Sequence, residues 1–445
     1  MRGTGPIGGS AVHLTPPRLR AYGEAMSHVT ASAPEPATTP RRIAITGGYV
    51  VPVSDPPIEN GTVLVEGGRI VAVGADVDVP DGTHVVDATG RWVLPGFVEA
   101  HGHVGIWEEG EGVAGDDVNE MTDPNRAAVR AIDGINIDDE GFRDALSGGV
   151  TAVVVKPGSG NPIGGQSVAI KSWGGRTIDE QVIRESVSVK SALGENPKRV
   201  YGDRKQLPST RLGVALVIRE AFAKAQHYRA AREAAEAKGE PFARDLALET
   251  LARVLDGELL WDQHCHRHDD IVTAIRLAEE FGYRLVVNHG TEGHKVADVL
   301  AEKRIPVVFG PMFTSRSKVE LRDRAIAHLA RLVEAGVEVA ITTDHPVVPI
   351  NFLVHQATLA VKEGLPREVA LQALTTNPAR MMGLDDRVGA LRPGLDADVV
   401  VWSGDPLDVT SRAEQVFISG VAVYAWDAAA SVGRVVERAE RLRRG

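Results

Sequence analysis

The sequence predicts an α/β protein, a (β/α)8 TIM barrel with a small composite β-sandwich domain formed by the N- and C-terminal segments. Three observations predict it. Short β-branched runs separated by Gly, Asp and Pro turns begin at residue 43, as in GTVLVEGGRIVAVG, and return near the far end in DADVVVWSG and AEQVFISGVAVYAW. Between them, continuous apolar runs alternate with helical stretches, the pattern of a parallel sheet covered on both faces. His and Asp residues sit at the ends of those runs, the face of such a barrel that carries catalytic groups.

Taken in order, the first stretch, residues 1–42, is rich in Gly, Pro, Ser, Thr and Ala and has no periodic apolar pattern. It is expected to be a disordered extension without the apolar core of a secretory signal, and Met26 is an alternative start. Residues 43–93 together with 388–428 are assigned to the β domain. Residues 94–387 are assigned to the barrel, with TAVVVKPG, SVSVKSA, LLWDQHCH, RLVVNHG, IPVVFGP and EVAITTDH as strands. A segment of about 209–257 interrupts the alternation with Ala-rich helical composition divided at Gly239 and Pro241. It predicts two helices inserted after a barrel strand, a packing or oligomer element. Residues 429–445 are expected to form a C-terminal helix.

The chain has 445 residues, 43% hydrophobic and 24% charged, with a net charge of -11 spread along its length. That balance argues against a nucleic-acid surface. A single cysteine excludes an intrachain disulfide framework and fits a reducing, cytoplasmic compartment. No apolar run approaches the roughly 18 residues of a membrane span. The expected partner is a small-molecule substrate, with homo-oligomerisation open.

The chemistry begins in VLPGFVEAHGHVGIW, where His101 and His103 stand two residues apart on an extended chain and so share a face. The pair alone leaves metal binding and a satisfied loop pair equally open. Downstream, His264, Cys265 and His266 end LLWDQHCH, His289 ends RLVVNH, and Asp344 ends EVAITTD. Imidazole and carboxylate groups on three further strand ends are the ligands expected for zinc and related divalent ions. Alternation turns Cys265 away from the face of His264 and His266 and into the core.

Two longer motifs, DATGRWVLPGFVEAHGHVG and NPARMMGLDDRVGALRPGLDADVVVW, carry a resemblance to the amidohydrolase superfamily, in its imidazolonepropionase and prolidase-like branch, over roughly residues 43–428. The resemblance implies a metal-dependent hydrolase holding one or two divalent ions, zinc first, with iron or manganese as alternatives. It implies ligands His101 and His103 from strand 1, one His from strand 5, His289 from strand 6 and Asp344 from strand 8. On strand 5 it favours His266 over His264, because HRHD resembles a ligand followed three residues later by an acid, which makes Asp269 a substrate-binding or supporting group. For the bridging ligand it offers Lys190, after reaction with CO2, or Glu195, which needs no modification and is preferred. Asp344 would then act as general base and acid, with His289 positioning the carbonyl oxygen.

Around this centre, the small residues of KPGSGNPIGGQS suggest either a backbone nest for an anion or a tight turn needing positive φ at Gly164 and Gly165, with Lys156 and Gln166 as substrate contacts. The acidic stretch EEGEGVAGDDVNEMTDPN reads as a solvated loop or a lid that discourages anionic substrates. His345 and Arg316 are further substrate-binding candidates, Arg316 through a bidentate contact with a carboxylate. The expected reaction is cleavage of an amide or cyclic amide C–N bond, with a prolidase-like dipeptidase or N-acyl amino acid deacylase as the alternative. A catalytically inactive scaffold is the lesser alternative, since the ligand residues are all retained. Deamination of a ring would use the same chemistry, but no base-recognition signature accompanies it.

Overall fold

Nineteen strands among the described residues fall into three hydrogen-bonded sheets. The computed structural model describes residues 42–436. The expected N-terminal extension, apart from Arg42, and residues 437–445 lie outside them. The fold is mixed α/β.

The first sheet gathers both ends of the described chain. From the front come β1 (Arg42–Val50), β2 (Ile58–Glu66), β3 (Arg69–Gly74), β4 (His84–Asp87) and β5 (Trp92–Pro95). From the back come β16 (Val399–Trp402), β17 (Ala413–Ile418), β18 (Val421–Asp427) and β19 (Val432–Val435). The order is β19-β18-β17-β16-β5-β1-β2-β3, with β4 on β1, and the ends join where β5 and β16 pair antiparallel, Leu94 opposite Val400. Alternating β-branched residues bury Ile43, Ile45, Val63, Val65, Val399 and Val401 in one cluster. The helix expected over residues 429–445 is corrected over 429–436, and its remainder lies outside the described residues. Asp427 accepts from the N–H groups of Ala429 and Ala430 at 3.1 and 3.0 Å, turning the chain back so that β19 pairs antiparallel with β18. Local turn chemistry and sheet pairing override the helix propensity of the alanines.

The middle of the chain forms two sheets. One is β10-β9-β7-β6, from β6 (Phe97–Gly102), β7 (Val150–Val155), β9 (Val168–Lys171) and β10 (Val182–Arg184). The other is β15-β14-β13-β12-β11-β8, from β8 (Ile163–Gln166), β11 (Ser188–Ala192), β12 (Leu260–Cys265), β13 (Leu285–His289), β14 (Val307–Phe309) and β15 (Val339–Ile341). Strands β11 to β15 are parallel throughout, and β6 is parallel to β7. Strands β8 and β9 run antiparallel to their neighbours, because the chain after β7 returns through a tight loop instead of a crossover helix. Only Ser167 separates β8 from β9, so one segment passes from an edge of the larger inner sheet into the smaller one. At the opposite junction, Thr342 Oγ1 donates to the His101 carbonyl at 2.7 Å and His103 N–H to that of His345 at 2.9 Å. Among the described residues no strand ladder spans that junction, so the hydrogen-bonded strands do not close into a barrel.

Helices α1 (Gly141–Ser147), α2 (Glu195–Asp203), α3 (Arg211–Lys238), α4 (Leu246–Leu255) and α5 (His268–Phe281) are the ones that matter for the site. Helix α3 starts where Thr210 Oγ1 accepts from Gly213 N–H and stops where Gly239 takes φ +68°, a conformation that glycine adopts without a Cβ penalty. Asp245 caps α4 through the N–H groups of Ala247 and Leu248. Phe222 of α3, fully buried, lies 4.8 Å from the rings of both Trp261 and Tyr283, which ties the helix to the back of β12 and β13. Burying such a ring contributes about 2–3 kcal/mol, so α3 is part of the core. Among the described residues no helix is long and apolar enough to cross a membrane.

Candidate metal centre

The polar residues converge at the C-terminal ends of β6, β12, β13 and β15. Glu99, His101 and His103 recur every second residue along and just past β6, so they share one face. His264 lies on β12 and His266 just beyond it, His289 ends β13, and Asp344 follows β15. His289 and Asp344 adopt φ +70° and +54°, a region that side chains with a Cβ rarely enter and that concentrates at functional sites.

His101 Nε2 lies 3.0 Å from Asp344 Oδ1, and His103 Nε2 lies 3.2 Å from the same oxygen. The ring of His289 is 5.0 Å from His101, 4.5 Å from His264 and 4.9 Å from His266. Ligand-competent atoms of His101, His289 and Asp344 all fall within 4.8 Å of one another, a group that can hold a metal ion. Lys190, from β11, brings Nζ to 3.4 Å from His101 Nε2 and donates to the Pro157 carbonyl at 3.2 Å.

The hydrogen bonds behind the rings set their tautomers. His103 Nδ1 donates to the Lys156 carbonyl and His289 Nδ1 to the Gly310 carbonyl, both at 2.7 Å. A carbonyl only accepts, so in His289, which burial keeps neutral, Nε2 is left with a bare lone pair. Nε2 of His103 faces a carboxylate oxygen at 3.2 Å, a pair of ligand atoms that a cation could share. The buried Nδ1 atoms of His101 and His264 have no partner among the described residues.

Electrostatics agree with that fit. Burial, with Lys190 next, pushes His101 down to about 4, and burial, with Lys318 next, pushes His266 down to about 3. Burial likewise holds His264 and His289 well below the usual imidazole range. Neutral imidazole is the form that binds metal. Burial opposes ionisation of Asp344, but His101, His103 and His289 hold its carboxyl well below the usual range. Lys190 is lowered by burial to about 8, against the pull of Asp344 and Asp262.

Several sequence-based expectations meet a different arrangement. Glu195 opens α2 facing Glu320, its N–H donating to Glu320 Oε1 at 2.9 Å and its Oε2 accepting from Glu320 N–H at 3.4 Å. Lys190, not Glu195, therefore stands beside the histidines. Gln166 is spent on Thr250 Oγ1 at 3.1 Å and Ser186 Oγ at 3.0 Å. Asp269 is exposed and paired with Arg267 at 2.7 Å, and Arg316 is exposed with Nε donating to the Arg322 carbonyl. His345 is fully buried, with Nδ1 accepting from Ile350 N–H at 3.2 Å and Nε2 turned toward Gly141. None of these four lines the cavity over the histidines, because each is held by neighbours on its own side of the backbone. Lys156 is buried below the centre in an ion pair with Asp262. The amides of Gly158 and Gly160 are already taken by the Val118 carbonyl and Asn119 Oδ1, so the glycine-rich loop forms no open nest. Cys265 is buried in the core.

That cavity, about 430 Å³, is bordered by His103, His264, His266 and Asp344 at its floor. Its walls include Trp107, Asn196, Arg199 and Lys318, none of which the sequence reading singled out. Lys318 lies two residues from Arg316 in the loop after β14, and its position past a strand end was the available signal. Glu99 was also missed. Its Oε2 accepts from Thr343 N–H at 2.9 Å and Oγ1 at 2.7 Å, and its Oε1 from His101 N–H at 3.1 Å, clamping the two strand ends that carry His101 and Asp344. The signal was its i−2 relation to His101.

Comparison with known proteins bears on this arrangement. A model of the amidohydrolase family matches residues 223–424. The chain is similar to the amidohydrolase tasK of Hapsidospora irregularis, 30% identical over 82% of this chain, and spans 40% of that relative's length. It is 25% identical to an imidazolonepropionase of Cupriavidus necator over 80% of this chain and 88% of that one. A crystal structure of an amidohydrolase from Thermotoga maritima MSB8 superimposes with a TM-score of 0.84 and 46% identity, covering 86% of this chain and all of the other.

Proposed function

Starting from the chain's membership of the amidohydrolase family, hydrolases acting on C–N bonds, we propose that it cleaves an amide or cyclic amide bond of a small molecule at a centre of one or two divalent ions. The observation that carries the reading is the meeting of His101, His289 and Asp344 within 4.8 Å, in a ring of neutral imidazoles. We read the two inner sheets as arcs of a distorted (β/α)8 barrel, joined by the β8–β9 segment and by the contacts between β6 and the turn after β15. A single buried cysteine fits a reducing compartment.

His101, His103, His289, Asp344 and one of His264 and His266 would hold the metal, zinc first, with iron or manganese as alternatives. Bound there, a divalent ion supplies a water acidified to a pKa of about 7 and a polarised carbonyl. The chain's own groups do the rest. The Lys156 and Gly310 carbonyls keep His103 and His289 in the tautomer that presents Nε2 to the centre. Asp344 takes the proton of the attacking water on its carboxylate and returns it to the departing nitrogen, base and then acid. Lys190 takes over from Glu195 as the bridging candidate. Burial shifts it toward the free amine, which adds to CO2 with loss of a proton to give a carbamate anion.

Elemental analysis of the purified protein, with a hydrolysis screen of N-acyl amino acids, dipeptides and cyclic amides in added Zn, Mn or Fe, tests the reading. One or two ions per chain and metal-dependent release of an amine support it. Absence of metal, together with a stability unchanged by chelation, would sink it.

A further inference from the structure

We propose that the outer part of the cavity is an anion subsite, in which Lys318 and Arg199 receive the carboxylate of an apolar N-acyl amino acid or dipeptide-like substrate. The inference rests on the hydrolase reading for the bond that is cleaved. Its own support is the distribution of charge around the cavity.

Lys318, in the loop after β14, and Arg199, on α2, line the same cavity as His103, His266 and Asp344. Among the described residues, neither makes an ion pair or a side-chain hydrogen bond. Most arginines of this protein do the opposite: Arg211, for example, is held by Asp270 at 3.0 Å and by Glu320. Burial and the neighbouring Arg199 work against the charged form of Lys318, while Asp344, Glu320 and Glu195 act through space to retain it. An ammonium that is partly desolvated and lacks a contact partner is stabilised when an anion docks on it.

The walls fix what accompanies the charge. The acidic stretch 108–123 reaches the cavity with Val118, Asn119 and Met121, following Trp107, and none of its Asp or Glu side chains lines it. The expected acidic lid therefore presents an uncharged, largely apolar surface to the cavity. Val200, Leu321 and Val347 extend that surface on the other side. Asn196, 7% exposed, donates from Nδ2 to Ser159 Oγ at 2.8 Å and leaves Oδ1 without a partner. A carboxylate at one end and an apolar acyl or side chain thus match the cations and the wall in turn. The volume suits a small molecule.

The test uses the full-length, metal-replete protein and the N-acetyl derivatives of glycine, alanine, leucine and phenylalanine, each as the free acid and as the neutral carboxamide. Affinities are measured by calorimetry at low and high salt, and turnover is followed in parallel. At least one acid is expected to bind about 10-fold tighter than its carboxamide, with the preference shrinking as salt rises. Lys318→Met should remove most of that preference and Arg199→Met part of it, with metal content unchanged, and Lys318→Arg should restore it. In turnover, Lys318→Met should raise KM for the acids far more than it lowers kcat. Equal binding of acid and carboxamide, no binding of any acid up to about 10 mM, or a preference that survives Lys318→Met and Arg199→Met together overturns the subsite. Turnover without charge preference removes the subsite alone. A Lys318-dependent preference without any turnover removes the hydrolase reading and leaves the subsite standing.

Discussion

Replacing Lys156 by methionine probes what holds the floor of the site. Lys156 and Asp262 are both fully buried and form an ion pair, and Asp262 also accepts from Ser188 Oγ at 3.0 Å and from Asn288 Nδ2. Burial alone would keep Asp262 protonated, yet Lys156 above all, with His101 and Asn288, holds its carboxyl below the usual range. Methionine keeps most of the stem's volume but leaves the carboxylate in the interior with two neutral donors. Breaking a buried pair by removing one partner costs about 3–5 kcal/mol, and the two remaining donors place this case near about 3. Adding Asp262→Leu removes the stranded charge and leaves only the two neutral donors unsatisfied. The double variant should therefore be less destabilised than the sum of the single ones. The group that orients His103 is the main-chain carbonyl of Lys156, so Lys156→Met should still take up metal. Urea unfolding of the metal-free proteins at fixed pH measures the first effect and elemental analysis the second. A loss below about 1 kcal/mol, or strict additivity in the double variant, would refute the reasoning.

Other perturbations separate the roles at the centre. Asp344→Asn keeps an oxygen ligand but cannot relay a proton, so turnover should fall by about 10²–10⁴-fold while much of the metal stays bound; retention of half the activity would contradict the role. Lys190→Ala should lower metal occupancy, whereas Glu195→Ala, whose contacts are with Glu320, should not; equal occupancy in both would argue for a centre without a lysine bridge. Glu320 gives a pH signature. Burial, then Asp270, raises its carboxyl to about 7, so the folded state holds a proton that the unfolded chain releases near 4.5. Its contribution to stability is present below about 4.5 and lost as pH rises through about 7, up to about 3 kcal/mol. The stability difference between the parent and Glu320→Gln should therefore favour the parent more at pH 5 than at pH 8, and a difference flat with pH would count against the raised pKa.

The amino-acid sequence by itself determined the periodicities and the ligand chemistry. Period-two runs mark the strands, so Glu99, His101 and His103 share a face whatever the fold around them, and His289 and Asp344 are legible as strand-end groups because apolar runs stop there. Gly239 and Pro241 marked the break between α3 and α4 in the same local way. Tertiary structure decided whatever depends on residues distant in the chain. Lys190 and Glu195 are equally eligible in sequence, and only the approach of β11 to β6 brings Lys190 to His101 while the start of α2 turns Glu195 to Glu320. Arg316 and Lys318 differ by two residues, yet the course of one loop sends the first to solvent and the second to the cavity. His103 and His345 likewise look alike on paper. A carbonyl from Lys156 aims the first at Asp344, whereas packing beside Gly141 takes the second out of reach. Side-chain type and spacing are local properties of a chain, but the tautomer of a ring, the partner of a charge and the lining of a cavity are set by whichever backbone groups folding brings opposite them.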